Sequence, residues 1–450
     1  MKKILLFVVF LLIGFLGYFT LLLYPKLELI SGFCAKSIAS GHFIDGRPLD
    51  LIEREDNDIP MLDLATNKIL KAPKEAISAV YGLKERQAIF REGLGVTLVD
   101  EDFDLTKPFL VPHRSKRVSK EQYPFGDTEP KDTLFSNVDY AKLHKAVDGA
   151  FDKDGGKTKR TRAVVVLYKN HLIAEEYGPW FSKKSKILGW SMTKSVTSAV
   201  YGAFVKQRKL DIYKPCPVES WKNDERKRIT LNNLLQMNSG LEWVEDYGEI
   251  SDVTKMLFQS YDMGKVQEDK PLEFKPNTHW YYSSGTSNLL SRILRQQFPS
   301  QQAYLDFWYS ALIDKIGMHS MLIETDMAGN YVGSSYAWAT PRDWAKFGLL
   351  YLNKGNWNGE QVLDESWVKY SHTPTPTSNN GYGAQFWLNK GGKFPDVPRD
   401  MYYCSGYQGQ MVAIIPSRDM VIVRMGLKEH PDFDFNKFLK EVLASVSEVK

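Results

Sequence analysis

Cysteine and histidine are both scarce in this chain, which has three cysteines and eight histidines among its 450 residues. The cysteines lie far apart, and no Cys-x-x-Cys spacing indicates a metal or redox centre. We expect buried thiols at Cys34, Cys216 and Cys404, although two of them could pair if the chain is exported. Neither His-Glu-x-x-His nor Gly-x-Ser-x-Gly occurs, so neither a zinc peptidase nor an α/β-hydrolase is predicted.

A large excess of charge of either sign is missing as well. The chain has 58 basic and 54 acidic side chains, which give a net charge of +4. No long basic run carries interleaved aromatic residues, so nucleic acid is not predicted as a partner. A hydrophobic share of 43% is typical of a folded globular protein, and the length allows one large domain or two ordinary ones.

The N-terminus carries the one long hydrophobic run of the chain. Residues Ile4 to Tyr24 are uncharged, and this run is long enough for a bilayer core, which needs about 20 residues of helix. Lys2 and Lys3 before it favour a cytoplasmic N-terminus. The run ends without a small-x-small cleavage site, so residues 1–25 are predicted to be an uncleaved membrane anchor. The rest of the chain would then lie on the periplasmic or extracellular side; the alternative is secretion after signal cleavage.

The remaining sequence divides into an extension, residues 26–133, and a main domain, residues 134–450. The extension is rich in charge and proline but keeps apolar residues throughout, so we expect it to pack on the main domain. The main domain has a hairpin pattern near each end, and terminal helix patterns flank a helical middle. This order predicts an α+β fold, an antiparallel sheet with N- and C-terminal helices and a large helical insert. The hairpins are expected at residues 163–177 and 410–425, and the helices at residues 138–151 and 433–446.

Ser191 and Lys194 form a Ser-x-x-Lys motif at the predicted start of a helix, within Gly-Trp-Ser-Met-Thr-Lys-Ser-Val. Positions i and i+3 share one helix face, so the hydroxyl and the amine can meet. A neutral lysine can take the serine proton and so create a nucleophile, and burial would favour the neutral amine. A serine N-cap followed by a solvated lysine gives the same sequence pattern. The motif therefore predicts catalysis only together with other segments.

Two further segments contain candidate site residues. Tyr282 stands on a loop before a predicted helix and could relay protons, with Ser284 beside it. Gly406 and Gly409 precede a strand that begins at Gln410, and glycines there allow a substrate to approach the backbone. An N–H of this strand could complete an oxyanion hole with the N–H of the serine. Each segment alone also fits ordinary packing: buried tyrosines, and a glycine turn in a hairpin.

Taken together, these segments resemble the serine β-lactamase-like hydrolases, a family that includes class C β-lactamases, D-aminopeptidases and esterases. The resemblance covers roughly residues 134–450 and also includes Leu-Leu-Gln-Met-Asn-Ser-Gly-Leu and Pro-Arg-Asp-Trp-Ala-Lys-Phe-Gly. The 6-aminohexanoate-dimer hydrolase branch is the most similar, because its motif also reads Trp-Ser-Met-x-Lys. The resemblance implies that Ser191 is acylated, that Lys194 is its base and that Tyr282 relays the proton. It implies substrate contacts at Tyr247, Ser284, Gly406, Gly409 and Gln410, and no metal or organic cofactor.

Two departures from the β-lactamase pattern affect the expected substrate. Tyr-x-Asn is replaced by Tyr-Ser-Ser, and Cys404-Ser405-Gly406 stands where Lys-Thr-Gly would be. We therefore expect a small-molecule amide or ester rather than a β-lactam, with the oligomeric state left open. The alternatives are a cell-wall D-amino-acid peptidase and a non-hydrolytic, penicillin-binding-like sensor of the same fold.

Overall fold

The computed structural model describes residues 23–447 except 102, 105, 116, 117 and 154, together with residues 3, 4, 6, 7, 10, 14 and 17. Among these residues, no helix combines the length and the apolar character that crossing a membrane requires. Most of the run from Ile4 to Tyr24 lies outside the described residues, so the anchor stays a prediction.

The secondary structure is numbered here in chain order over the described residues. The strands are β1 Ala65–Lys71, β2 Lys74–Val80, β3 Leu83–Arg91, β4 Gly95–Val99, β5 Thr161–Tyr168, β6 His171–Tyr177, β7 Ile187–Leu188, β8 Leu322–Ile323, β9 Ala337–Ala339, β10 Asn356–Trp357, β11 Glu360–Gln361, β12 Trp387–Leu388, β13 Tyr402–Gly406, β14 Gln410–Ile415 and β15 Met420–Gly426. The α-helices are α1 Tyr24–Asp45, α2 Leu49–Arg54, α3 Tyr140–Asp148, α4 Met192–Arg208, α5 Leu231–Leu235, α6 Asp252–Gln259, α7 Met263–Glu268, α8 Ser284–Arg295, α9 Gln301–Trp308, α10 Pro341–Leu352, α11 Glu365–Ser371 and α12 Phe435–Ala444.

A six-stranded sheet joins the two ends of the main domain. Its order is β12-β13-β14-β15-β5-β6, and every pair is antiparallel. The predicted hairpins are confirmed as β5–β6 and β14–β15. Lys169 and Asn170 connect the first with positive φ angles of 46° and 61°, as the twist of a two-residue hairpin turn requires. The pairing of β15 with β5 closes the sheet between residues far apart in the chain.

Helices cover both faces of this sheet. All eight residues of β5 are buried, because its successive side chains point to opposite faces and each face has its own core. Val165 packs with α4 and α10 on one face, whereas Val164 and Val166 pack with α3 and α12 on the other. The predicted α+β fold is confirmed, and the helices between β7 and β12 form the insert.

The extension contains a long helix that the sequence analysis did not anticipate. Helix α1 packs on the four-stranded sheet β1-β2-β3-β4 and on α6 of the main domain. It has no amphipathic pattern because buried residues lie all around it, from Leu29 and Ile30 to Cys34 and Ala35. A helix enclosed on all sides needs no polar face, so its sequence carries no period of 3.6 residues.

Charged groups join the extension to the main domain. The Lys36 ammonium of α1 lies 2.5 Å from a Glu324 oxygen, and the other oxygen accepts the Val96 N–H at 2.9 Å. Glu324 is completely buried, so this contact is shielded from water. Asp56 lies between the guanidinium groups of Arg47 and Arg162, which hold the pKa of its carboxyl below the usual range despite its burial. The extension is therefore fixed on the main domain, next to the start of α4.

The cysteines are all free thiols. Cys34 and Cys404 are buried, as expected, and Cys216 is half-buried. Burial raises the pKa of the Cys34 thiol to about 12.

Candidate active site

A tight turn presents Ser191 at the N-terminus of α4. Met192, Thr193 and Lys194 donate their backbone N–H groups to the carbonyls of Gly189, Trp190 and Ser191, so the chain is already coiled before the helix begins. Trp190 has a φ of 47°, which is a left-handed conformation. Non-glycine residues rarely adopt this conformation, and those that do are concentrated at functional sites. At Gly189 a Cβ atom would lie 2.2 Å from the Trp344 ring, so only glycine fits there.

Lys194 lies against the hydroxyl of Ser191. Its Nζ donates hydrogen bonds to Ser191 Oγ at 2.9 Å, to Ser284 Oγ at 3.0 Å and to the Ser334 carbonyl at 3.0 Å. The side chain has only 1% of its surface exposed, and burial lowers the pKa of the amine to about 8. The charge of Glu245 opposes this shift without cancelling it. Lys194 is thus able to be neutral near physiological pH while it touches the hydroxyl.

Tyr282 completes the predicted catalytic group. Its hydroxyl lies close enough to Ser191 for the serine to oppose the rise of its pKa, and the ammonium of Lys194 lies 4.7 Å from the centre of its ring. Burial, reinforced by Glu245, raises the pKa of Tyr282, so the phenol keeps its proton. The ring is held by Trp387, which stacks on it at 5.3 Å. The structure therefore brings the serine, the lysine and the tyrosine together at the N-terminus of α4.

Glu245 is the residue at this site that the sequence analysis missed. Its carboxylate accepts hydrogen bonds from the Ser284 hydroxyl at 2.5 Å, from the Ser284 N–H at 2.8 Å and from the Tyr247 hydroxyl at 2.8 Å. The Trp243 indole donates a fourth. Glu245 is one of 54 acidic residues and stands in a loop without a motif, so no local signal distinguishes it.

Ser284 and Tyr247 differ in how they reach the site. Ser284 is buried and links Lys194 to Glu245, so its hydroxyl belongs to an internal hydrogen-bond chain. The Tyr247 hydroxyl lies 3.3 Å from Ser284 Oγ, and its ring stacks on Tyr407 at 6.0 Å. Because Tyr247 is 43% exposed, it is the one of the two with a free surface for a substrate.

The end of β13 lies directly beside the turn of Ser191. A Cβ atom on Gly406 would be 2.2 Å from the carbonyl oxygen of Gly189, so glycine permits this close approach. Gly409 has a φ of 79° in the turn between β13 and β14. The side chain of Gln410 is occupied within the hairpin: it donates to the carbonyls of Tyr407 and Gly426 and accepts the N–H of Gly426. Among the predicted substrate contacts, Gln410 is therefore the one whose side chain is used for structure.

The histidines do not take part in this group. His279 is the one that stands near Tyr282 in the sequence, and its ring stacks on Phe274 at 4.3 Å. His279 therefore has a packing role in this loop.

Comparison with known proteins identifies the family. The sequence profile described as Beta-lactamase matches residues 148–444, more than half of the chain and within the predicted main domain. A Bacillus anthracis protein assigned as a 6-aminohexanoate-dimer hydrolase is similar in structure, with a TM-score of 0.54 at 20% identity over 67% of this chain and 80% of that one. A penicillin-binding protein homologue from Caulobacter crescentus has a TM-score of 0.53 at 14% identity, over 71% of this chain and 100% of that one.

A third solved structure agrees. A Bacteroides dorei protein assigned as a beta-lactamase has a TM-score of 0.52 at 17% identity, over 68% of this chain and 97% of that one. At these identities the likeness concerns the fold, and the profile match carries the assignment. The chain belongs to the beta-lactamase family, whose fold serves serine hydrolases of the esterase, amidase and penicillin-binding types.

Proposed function

We propose that this protein hydrolyses an amide or ester bond through an acyl-enzyme on Ser191. The observation that carries the proposal is the contact of 2.9 Å between Lys194 Nζ and Ser191 Oγ, made by an amine whose pKa burial lowers to about 8. A base that is close to the hydroxyl and partly neutral at working pH is what a serine nucleophile needs.

The first half of the reaction forms the acyl-enzyme. Lys194 takes the Ser191 proton while Ser191 Oγ bonds to the substrate carbonyl carbon. The resulting oxyanion is stabilised by the N–H of Ser191, at the positive end of the α4 dipole, and by an N–H of the turn from Tyr407 to Gln410. Tyr282, which touches Ser191, passes a proton to the leaving alcohol or amine as its bond to the carbonyl breaks.

The second half returns the enzyme to its starting state. A water molecule gives a proton to the Tyr282 phenolate and attacks the carbonyl of the acyl-enzyme, and Lys194 returns its proton to Ser191 as the acid leaves. Exposed Tyr247 contacts the substrate beside this group. The replacement of Tyr-x-Asn by Tyr-Ser-Ser at residues 282–284 and the absence of Lys-Thr-Gly support a simple amide or ester over a β-lactam, because the usual amide and cation partners are missing.

Fluorophosphonate labelling tests the proposal directly. We expect the probe to attach to Ser191, with the modified peptide identified by mass spectrometry, and Ser191→Ala to remain unlabelled. Ser195→Ala, on the same helix, is the matched control and should be labelled as the parent is. If the parent protein remained unlabelled, the proposed serine-hydrolase activity would be excluded. If Ser191 were labelled but no amide or ester were hydrolysed, the result would indicate the sensor alternative.

The pH dependence of activity should follow Lys194. Because only the neutral amine accepts a proton, we expect kcat/KM for an ester to rise with pH through about 8, the pKa of Lys194. The negative charge of Glu245 favours the protonated amine, so Glu245→Gln should move this midpoint to lower pH. Glu242→Gln, in the same loop but paired with Lys270, is the control and should leave the midpoint unchanged. A shift of the Glu245→Gln midpoint to higher pH would contradict this role of the carboxylate.

A further inference from the structure

An apolar cleft lies between the extension and the main domain, next to the nucleophile. It has a volume of about 310 Å³. The extension contributes Leu29, Ile30 and Phe33 from α1, and Ile59, Met61 and Leu62 from the loop before β1. A concave site lined mainly by apolar side chains is the usual form of a small-molecule pocket.

The wall on the other side belongs to the candidate active site. Trp190, the residue before Ser191, lines the cleft together with Tyr247 and Tyr407. These three rings contact one another: Tyr247 stacks on Tyr407, and Tyr407 meets the edge of Trp190 at 5.6 Å. The cleft therefore reaches the turn that presents the nucleophile.

Charge is confined to one margin of the cleft. Lys26 and Glu249, both among the residues that line it, form an ion pair of 2.6 Å. The Glu249 side chain is 64% exposed, so the pair faces water, whereas Leu29, Ile30 and Leu62 are buried. A ligand for this cleft must be apolar over most of its length, because the interior offers it few hydrogen-bonding partners.

The position of Tyr282 decides which part of a substrate the cleft would hold. Tyr282 is the proposed proton donor to the leaving group, and it does not line the cleft. Tyr247 and Tyr407 do line it. A leaving group must reach Tyr282 to take its proton, so the cleft is the place for the other part of the substrate, the acyl group.

We propose that the cleft binds the aliphatic chain of the acyl group, so that the substrates are esters of linear carboxylic acids of medium length. This inference rests on the proposed acyl-enzyme chemistry. Ser191 Oγ bonds to the carbonyl carbon of the ester, the bond to the alcohol oxygen breaks, and the alcohol leaves with a proton. Water then releases the carboxylic acid and restores the serine hydroxyl. The extension, which lies outside the matched family region, would thereby set the chain-length preference.

A series of p-nitrophenyl esters from acetate to dodecanoate tests the proposal with the full-length protein. We expect kcat/KM to rise about fourfold per added methylene until the cleft is filled, since each buried methylene contributes a nearly constant free energy. Acetate esters of alcohols of increasing length should show no such rise. A flat acyl series, or a rise in the alcohol series alone, would overturn the assignment.

Variants of the extension connect the preference to the cleft. Ile59→Asp places a charge in the cleft, so the ratio of octanoate to acetate kcat/KM should fall at least tenfold. Met61→Asp is a second variant that folding should tolerate, since Met61 is 39% exposed with a φ of 74°, a conformation aspartate accepts well. Val118→Asp, 82% exposed and outside the cleft, should keep the parental ratio. An unchanged ratio of octanoate to acetate kcat/KM in both cleft variants would refute the proposed role of the cleft. If the parent protein did not hydrolyse the acetate ester at all, the proposed hydrolase function would be refuted instead.

Discussion

Lys194→Met is expected to lower kcat/KM for esters by about 10⁴-fold, at the upper end of what a positioned base contributes. Methionine has nearly the length of lysine and suits a buried site, so the packing of α4 is kept while the amine is lost. The Ser191 hydroxyl then has no base within reach at the position that Lys194 Nζ occupies, 2.9 Å away. Steady-state kinetics and the rate of fluorophosphonate labelling should fall together, because both report the reactivity of Ser191.

A lysine on the same helix supplies the control for this variant. Lys206→Met removes an amine from α4 at a half-buried position that bonds to Gln361, away from the serine, and should retain parental kinetics. Circular dichroism and urea unfolding of both variants would separate loss of chemistry from loss of fold. If Lys194→Met kept more than about a tenth of parental kcat/KM, Lys194 would not be the base.

Tyr282→Phe is expected to lower kcat/KM for an anilide or alkyl amide by about 10³-fold. The substitution removes one oxygen, and the ring keeps its stacking on Trp387. An amine cannot leave as an anion, so it depends on the proton that Tyr282 would donate. A p-nitrophenyl ester should fall less, since its phenolate leaves without a proton and only the deacylation step still needs the tyrosine.

The comparison of two substrates makes the assignment of Tyr282 specific. Tyr281→Phe, at the adjacent exposed residue, should leave both rates unchanged. A Tyr282→Phe enzyme that hydrolysed the p-nitrophenyl ester and the amide at parental rates would show that the phenol relays no proton. If kcat/KM fell equally for the ester and the amide, Tyr282 would position the substrate or Ser191 and would not transfer a proton.

The contact of Ser191 with Lys194 and the hairpins of the sheet could be predicted because their signals are local. Ser191 and Lys194 are three residues apart, so helix geometry alone brings their side chains together. The hairpins β5–β6 and β14–β15 appear as apolar runs with a two-residue turn in the first and a four-residue turn in the second. Tyr282 is a candidate through its match to a family motif, and the structure places its ring beside Lys194.

Helix α1 and the apolar cleft had no such signal. The enclosed environment of α1 removes the polar face that a periodicity argument needs. Phe33 and Ile59 line the cleft together with Trp190, which follows both of them by more than a hundred residues in the sequence. No short-range pattern describes such a contact.

The sequence by itself determined the family, the α+β order of elements and the identity of the candidate nucleophile and base, since these follow from short motifs and regular periods. Only the tertiary structure decided that Glu245 lies against Ser284, that Gln410 is used within its hairpin, and that the extension forms a wall of the site. These contacts join residues that are far apart in the sequence and meet only when the chain folds. Burial and the charge of Glu245, which set the pKa of Lys194, act through space and are not written in the order of the residues.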